Sequence, residues 1–172
     1  MDGEERQTFC IVERGSRRLG LAAGAVRRVL NGGTLTRVPG APPHLVGLVD
    51  DRGTALPVIC LDAWLGLAPR PCAPGDAVVV VESAGLRFGV LVDRVDGVAP
   101  PSAAAPRTAS DDCAIPAPDL IAAWRIGARG PVGVLADAAL AQAAVAAADR
   151  AFARGGLTRS GFAVGAEDGR AA

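Results

Sequence analysis

The chain has 172 residues, half of them hydrophobic, with 18 basic and 18 acidic side chains and a formal net charge of zero. That balance excludes the broad basic field expected of a protein that coats nucleic acid or anionic lipid. No stretch is apolar for long enough to span a bilayer, and "AVVVV" is far too short.

Lysine and tyrosine are absent, so every basic side chain is arginine. With the heavy use of Ala, Gly and Pro, this reads as biased genomic composition rather than a functional device. The start, MDGEERQTF, has no apolar segment before Phe9; no secretory leader and a cytoplasmic location are expected. The length fits one domain, or two small lobes sharing a core.

Short apolar or alternating runs broken by Gly, Pro and Asp predict strands. They are expected at 8–13, 18–22 and 25–30, the first two joined through Gly15-Ser16. Val38-Pro39-Gly40 and Pro42-Pro43 predict a non-repetitive crossing, because proline fixes φ and restrains its predecessor. Strands at 45–49 and 56–61 predict a hairpin around Asp50-Asp51-Arg52-Gly53. Pro57 lacks an N–H, so an edge or a bulge is expected there. Asp62 reads as the N-cap of a short helix beginning Ala63-Trp64-Leu65.

Residues 69–76 read as a linker, followed by strands at 77–82, 86–92 and 94–98. Residues 99–118 are proline-rich and read as a loop. A hairpin of 120–126 with 132–135 leads to Asp137, expected to cap an alanine-rich helix reaching about Arg154. The domain is placed at 7–150, with a polar, disordered tail over 151–172. "RGTALPVICLDAWL" and "RGPVGVLADAAL" share Arg-Gly, an apolar strand, Asp and a helix start. This weak repeat predicts two similar β-lobes, each too small to stand alone.

No catalytic constellation emerges. Asp50 and Asp51 are adjacent on a strand, so they point to opposite faces and cannot share one cleft as an acid/base pair. The one histidine, His44, has no activated thiol beside it. Cys10, Cys60, Cys72 and Cys113 are too widely spaced for a zinc site, and Cys10 and Cys60 read as core residues. Phosphate-binding glycine loops are missing, and Gly47 and Gly89 read as points of close backbone approach. An enzyme using a Cys or an Asp is the weakest of the readings.

"RVPGAPPHLVGLVDDRGTALPVICLDAWLGL" (Arg37–Leu67) resembles the signature region of the CheW-like family. "FGVLVDRVDGV" resembles its second signature, and "LIAAWRIGARGPVGVLADAAL" its closing hairpin and helix. The resemblance spans about Gln7 to Val145. It implies a mainly β fold: two SH3-like five-stranded β-barrels sharing an apolar interface, with short helices and a C-terminal helix. It also implies an adaptor without catalysis, cofactor or metal. The implied partners are the cytoplasmic tip of a methyl-accepting chemoreceptor and the regulatory domain of a CheA-type histidine kinase, in a bacterial chemosensory array. A receptor helix would enter an apolar groove between the barrels, and the barrel edges would meet the kinase.

Residue by residue, the resemblance places partner-binding positions at Val26, Arg28, Gly47, Asp50, Asp51, Arg52 and Gly53. Asp93 matches the acid of the second signature. Four positions depart from the family pattern. Asp50 replaces the usual Asn, Asp51 an apolar residue, and Arg28 a common acid. Cys60 stands just before Leu61-Asp62, where the family often has Asp-Leu. These departures leave a second reading open: a divergent scaffold of the same fold, serving a different signalling system.

Overall fold

The structure is a computed structural model that describes residues 8–100 and 115–155. Among the described residues, ten strands form two five-stranded sheets, followed by one helix. The strands are β1 (Phe9–Arg14), β2 (Arg17–Ala22), β3 (Val26–Asn31), β4 (Leu45–Asp51), β5 (Thr54–Ile59), β6 (Ala77–Ser83), β7 (Leu86–Val92), β8 (Arg94–Ala99), β9 (Ile121–Gly127) and β10 (Gly130–Leu135). Helix α1 spans Asp137–Gly155, and 3-10 turns occupy Gly32–Thr34 and Pro118–Leu120.

The first sheet has the order β8-β1-β2-β10-β9 and the second β3-β6-β7-β5-β4. Each ends in an antiparallel hairpin whose second strand also pairs in parallel with an inner strand. In the second sheet β5 joins β7 through Val58–Gly89 and Ile59–Val90; in the first, β10 joins β2 through Gly133–Leu19 and Val134–Gly20. The expected repeat is therefore a repeat of topology, with β4–β5 corresponding to β9–β10.

The valine run of β6 explains how the sheets share a core. Successive side chains on a strand face opposite ways. Val79 and Val81 join the large cluster with Val12, Leu19 and Leu21 of the first sheet and Leu140 of α1. Val78 and Val80 join a smaller cluster with Val49, Leu56, Val58 and Leu91. A strand buried on both faces needs an unbroken apolar run, and this one has it. From α1, Leu140, Ala141, Ala144 and Ala147 complete the shared cluster.

Close backbone approach is real at both expected glycines. A Cβ on Gly47 would lie 2.4 Å from the Thr36 carbonyl oxygen, because residue 36 bridges to Leu48 there. A Cβ on Gly89 would lie 2.5 Å from Val78 Cγ1 and 2.9 Å from Val58 Cγ2.

Three expectations need correction. The helix expected at Ala63 is a single turn: the Leu65 N–H donates to the carbonyls of Leu61 (2.9 Å) and Asp62 (3.2 Å), and Gly66 turns the chain away at φ +70°. The Asp62 carboxylate accepts from the Arg14 side chain and the Arg70 N–H instead of capping that turn. Asp137 is the first helical residue, and the Ala136 carbonyl accepts the first helical bond from Leu140 (2.9 Å), so Ala136 holds the cap position. The edge or bulge expected at Pro57 is present, since the parallel ladder of β5 to β7 starts only at Val58 and the β4–β5 register shifts between Leu45 and Gly47, next to the Leu48–Pro57 pair. Most of the expected 99–118 loop, Cys113 and the tail beyond Gly155 lie outside the described residues.

Candidate partner-docking surface

The β4–β5 hairpin carries the residues singled out in the sequence. Asp51 pairs with Thr54, leaving Arg52 and Gly53 as the loop, with φ +55° and +85°. Two positive φ angles define the type I′ turn that matches the twist of a hairpin. Glycine adopts this backbone freely; Arg52 is held there by the turn. Asp50 Oδ1 accepts from the Gly53 N–H at 2.8 Å, which locks the tip. The Arg52 side chain is exposed and makes no hydrogen bond or ion pair among the described residues.

The two aspartates do point opposite ways. Asp50 is exposed, whereas Asp51 is only 4 % exposed. Asp51 Oδ1 lies 2.7 Å from Arg28 Nη1 on β3, and Asp51 Oδ2 lies 3.9 Å from Arg87 Nη1 on β7. An isolated carboxylate would be costly to bury, and these arginines offset that cost. Glu82 ties the neighbouring edge, lying 3.2 Å from Arg27 Nε and 3.1 Å from Arg87 Nη2.

A bulge on β3 separates two residues that the sequence places together. Val26 pairs with Val81 and Arg28 with Val80, leaving Arg27 as the extra residue. Directly paired residues share a face. Val26 therefore packs with Val81 toward the large shared cluster, and Arg28 lies on the opposite face with Val80 and Asp51. Gly47 is buried beneath Thr36 and Arg37. The accessible patch is thus Asp50, Arg52, Gly53 and Arg28, with Arg27 and Arg87 beside it.

Sequence reasoning missed a second polar centre. Arg14, at the end of β1, is 1 % exposed. Its Nε and Nη2 donate to Asp62 Oδ1 and Oδ2, both at 2.6 Å, and its Nη1 to Asp93 Oδ1 at 3.1 Å. Arg70 donates to Asp76 (2.8 and 3.0 Å) and to Asp93. The Gly15 N–H adds a bond to Asp93 Oδ2 at 2.8 Å, and the Ala73 N–H one to Asp76 Oδ2 at 2.7 Å. Arg14 belongs to the first sheet, while Asp62, Asp76 and Asp93 flank strands of the second. The cluster is an ionic clasp across the seam.

Burial opposes charge here, but the paired charges win. Desolvation acts to raise the carboxyls of Asp62 and Asp76, yet bonds from Arg14 and Arg70 hold both below the ordinary range. Desolvation would lower Arg14, and its bond to Asp62 drives it up instead. Cys60 Sγ accepts from Arg14 Nη2 at 3.3 Å. Burial pushes the Cys60 thiol up to about 11, which keeps it an unreactive thiol at neutral pH. The expectation that Cys10 and Cys60 are core residues holds, since both are buried. No group of three or more potential metal ligands occurs among the described residues.

Fold and surface define a two-sheet β protein with a polar hairpin tip and an ionic seam. The chain belongs to the CheW-like domain family, whose model matches residues 8–145. It is 32% identical over 94 residues to Protein FrzA of Myxococcus xanthus, covering 55% of this chain and 58% of that protein. It is 28% identical over 111 residues to the Chemotaxis protein CheW of Rhizobium meliloti, covering 64% of this chain and 66% of that protein. The chain thus spans less than two thirds of these relatives. The crystal structure of scaffolding protein TtCheW from Thermoanaerobacter tengcongensis superposes with a TM-score of 0.63 at 20% identity, over 76% of this chain and 89% of that one. This likeness supports the two-sheet fold.

Proposed function

We propose that the chain is a non-catalytic adaptor of a bacterial chemosensory array. It couples the cytoplasmic tips of chemoreceptors to the regulatory domain of a CheA-type histidine kinase, and it works in the cytoplasm, held at receptor arrays through its partners. The observation that carries this reading is the family match over residues 8–145, which takes in both sheets and the Arg52-Gly53 tip. Relatives named for chemotaxis support it. Since α1 fills one side of the seam with Leu140 and Ala144, a receptor helix would lay its apolar face along another side.

The test is co-sedimentation of the folded protein with a receptor cytoplasmic fragment and its kinase. Binding to both is expected; binding to neither overturns the reading.

The Arg28–Asp51 pair favours a second reading, a scaffold of the same fold with altered partner choice. Both positions depart from the family pattern, and the two departures neutralise each other. The triple change Arg28→Glu, Asp50→Asn, Asp51→Leu should then strengthen binding to a kinase from a standard array. Unchanged binding would remove this second reading.

A further inference from the structure

A slot of about 350 Å³ opens on the first sheet, far in sequence from the β4–β5 tip. It lies between the two ends of one sheet. Gly97, Val98 and Ala99 of β8 form one wall, and Arg125, Gly127 and Arg129 of the β9–β10 hairpin form the other. These strands are the terminal members of the order β8-β1-β2-β10-β9. Each therefore has one side turned away from the ladder. Such edges are templates for an added strand unless something blunts them.

The floor is apolar, made by Phe9, Ile11, Val132 and Val134. Val98 stands 65 % exposed at its lip, the most exposed large hydrophobic residue among those described. The rim is basic, with three arginines lining the slot against one aspartate. Asp96 is already held by Arg94 and Arg129 and lies 3.6 Å from Arg18 Nη2. Glu13 draws on Arg18 and Arg129 from 3.7 and 3.8 Å. Arg125 has neither hydrogen bond nor ion pair among the described residues. Its Nε is out of contact with solvent and makes no hydrogen bond, and Arg18 Nε has only Glu13 Oε1, at 3.7 Å. Buried donors without acceptors are costly, and a carboxylate satisfies arginine donors best.

We propose that this slot docks an extended segment of a partner protein in which Asp or Glu alternates with Val, Leu or Ile. The segment lies along the free side of β8. Its carboxylates enter the slot and accept from Arg125 and Arg18, which share a face with Phe9 and Val132, and the alternate apolar side chains pack on Val98, which lies on the other face with Cys10. Strand addition supplies backbone bonds, and alternate side chains supply selectivity. The slot lies apart from the β4–β5 tip and from the seam.

The test uses the full chain, isotope-labelled, and short peptides alternating aspartate or lysine with valine. The acidic peptide is expected to shift amide signals of β8 and the β9–β10 hairpin, with affinity falling as salt rises; the basic one is expected to leave them in place. Arg125→Glu should weaken the acidic peptide about ten-fold, or ~1.4 kcal/mol. Arg125→Gln is the second variant, should the first fail to fold. The proposal is overturned if both peptides bind alike, if the shifts fall on β3–β5, or if neither folded variant changes affinity. It is also overturned if sedimentation shows that a second copy of the chain fills the slot.

Discussion

Arg28 and Asp51, on strands separated in the sheet by three others, meet at 2.7 Å with the carboxylate almost wholly buried. Removing the arginine strands a buried charge, while removing both leaves an apolar rim. Arg28→Ala is therefore expected to cost about 2 kcal/mol, reduced by Arg87 nearby and by the partial exposure of Arg28. Arg28→Ala with Asp51→Ala should cost less than the sum of the single changes. Urea titration of all four proteins measures the coupling.

The clasp at Arg14 predicts a larger effect. Arg14→Met leaves Asp62 buried without its bidentate partner and should cost about 3–5 kcal/mol. Arg14→Met with Asp62→Leu should recover much of that. The measurement is the denaturant midpoint at constant slope.

Acid sensitivity should follow from the same clasp. Asp62 and Asp76 titrate below their ordinary range when folded, so the unfolded chain takes up protons first. Their stabilisation is complete above the unfolded value of about 4 and is lost as pH falls through the lower folded values. Arg14→Met should flatten this acid limb of a stability-against-pH curve. A limb as steep as in the unsubstituted protein would show that the clasp is not its source.

His44 should act in a different window. Its ring stacks on Trp64 with centroids 5.1 Å apart, and burial, helped by the positive charge of Arg150, lowers its pKa. The unfolded chain then takes the proton first, near pH 6.5. Stability is therefore expected to fall as pH drops from about 6.5 to the lower folded value. His44→Phe keeps the stack and should remove this slope, read as the shift in melting temperature between neutral and mildly acid buffer.

Two glycines should separate crowding from backbone strain. Gly47→Ala drives a Cβ into the Thr36 carbonyl and should cost about 3 kcal/mol. Gly53→Ala meets open space and should cost only about 1 kcal/mol, from its positive φ. Equal losses in thermal unfolding would contradict the crowding at Gly47.

The strand positions, the Arg-Gly repeat and the close approach at Gly47 were legible in the sequence, because each leaves a local mark. Alternation shows a strand, and a glycine within an apolar run shows a tight contact. Asp62 misleads for the same reason. An aspartate before Ala-Trp-Leu looks like a cap, and nothing nearby announces that its partner is Arg14, 48 residues away. The parity of β3 was hidden likewise. "VRRVLN" gives no sign that Arg27 is extra, yet that one residue turns Val26 and Arg28 to opposite faces. The repeat carries one further mark: if the two Arg-Gly hairpins correspond, Arg129 stands where Arg52 does, and a second cleft lies beside it.

The two sheets also differ in when they can exist. The second is built wholly from consecutive strands, β3 to β7, so a ribosome has delivered all its parts once Val92 emerges. The first pairs β2 with β10, and so waits for a strand more than a hundred positions later. Until then the large cluster lacks Leu135, Leu140 and Ala144, and the apolar flank of β6 stands open to water. A nascent or prematurely terminated chain would thus be a finished half carrying a sticky face, the kind of species that chaperones hold and proteases remove.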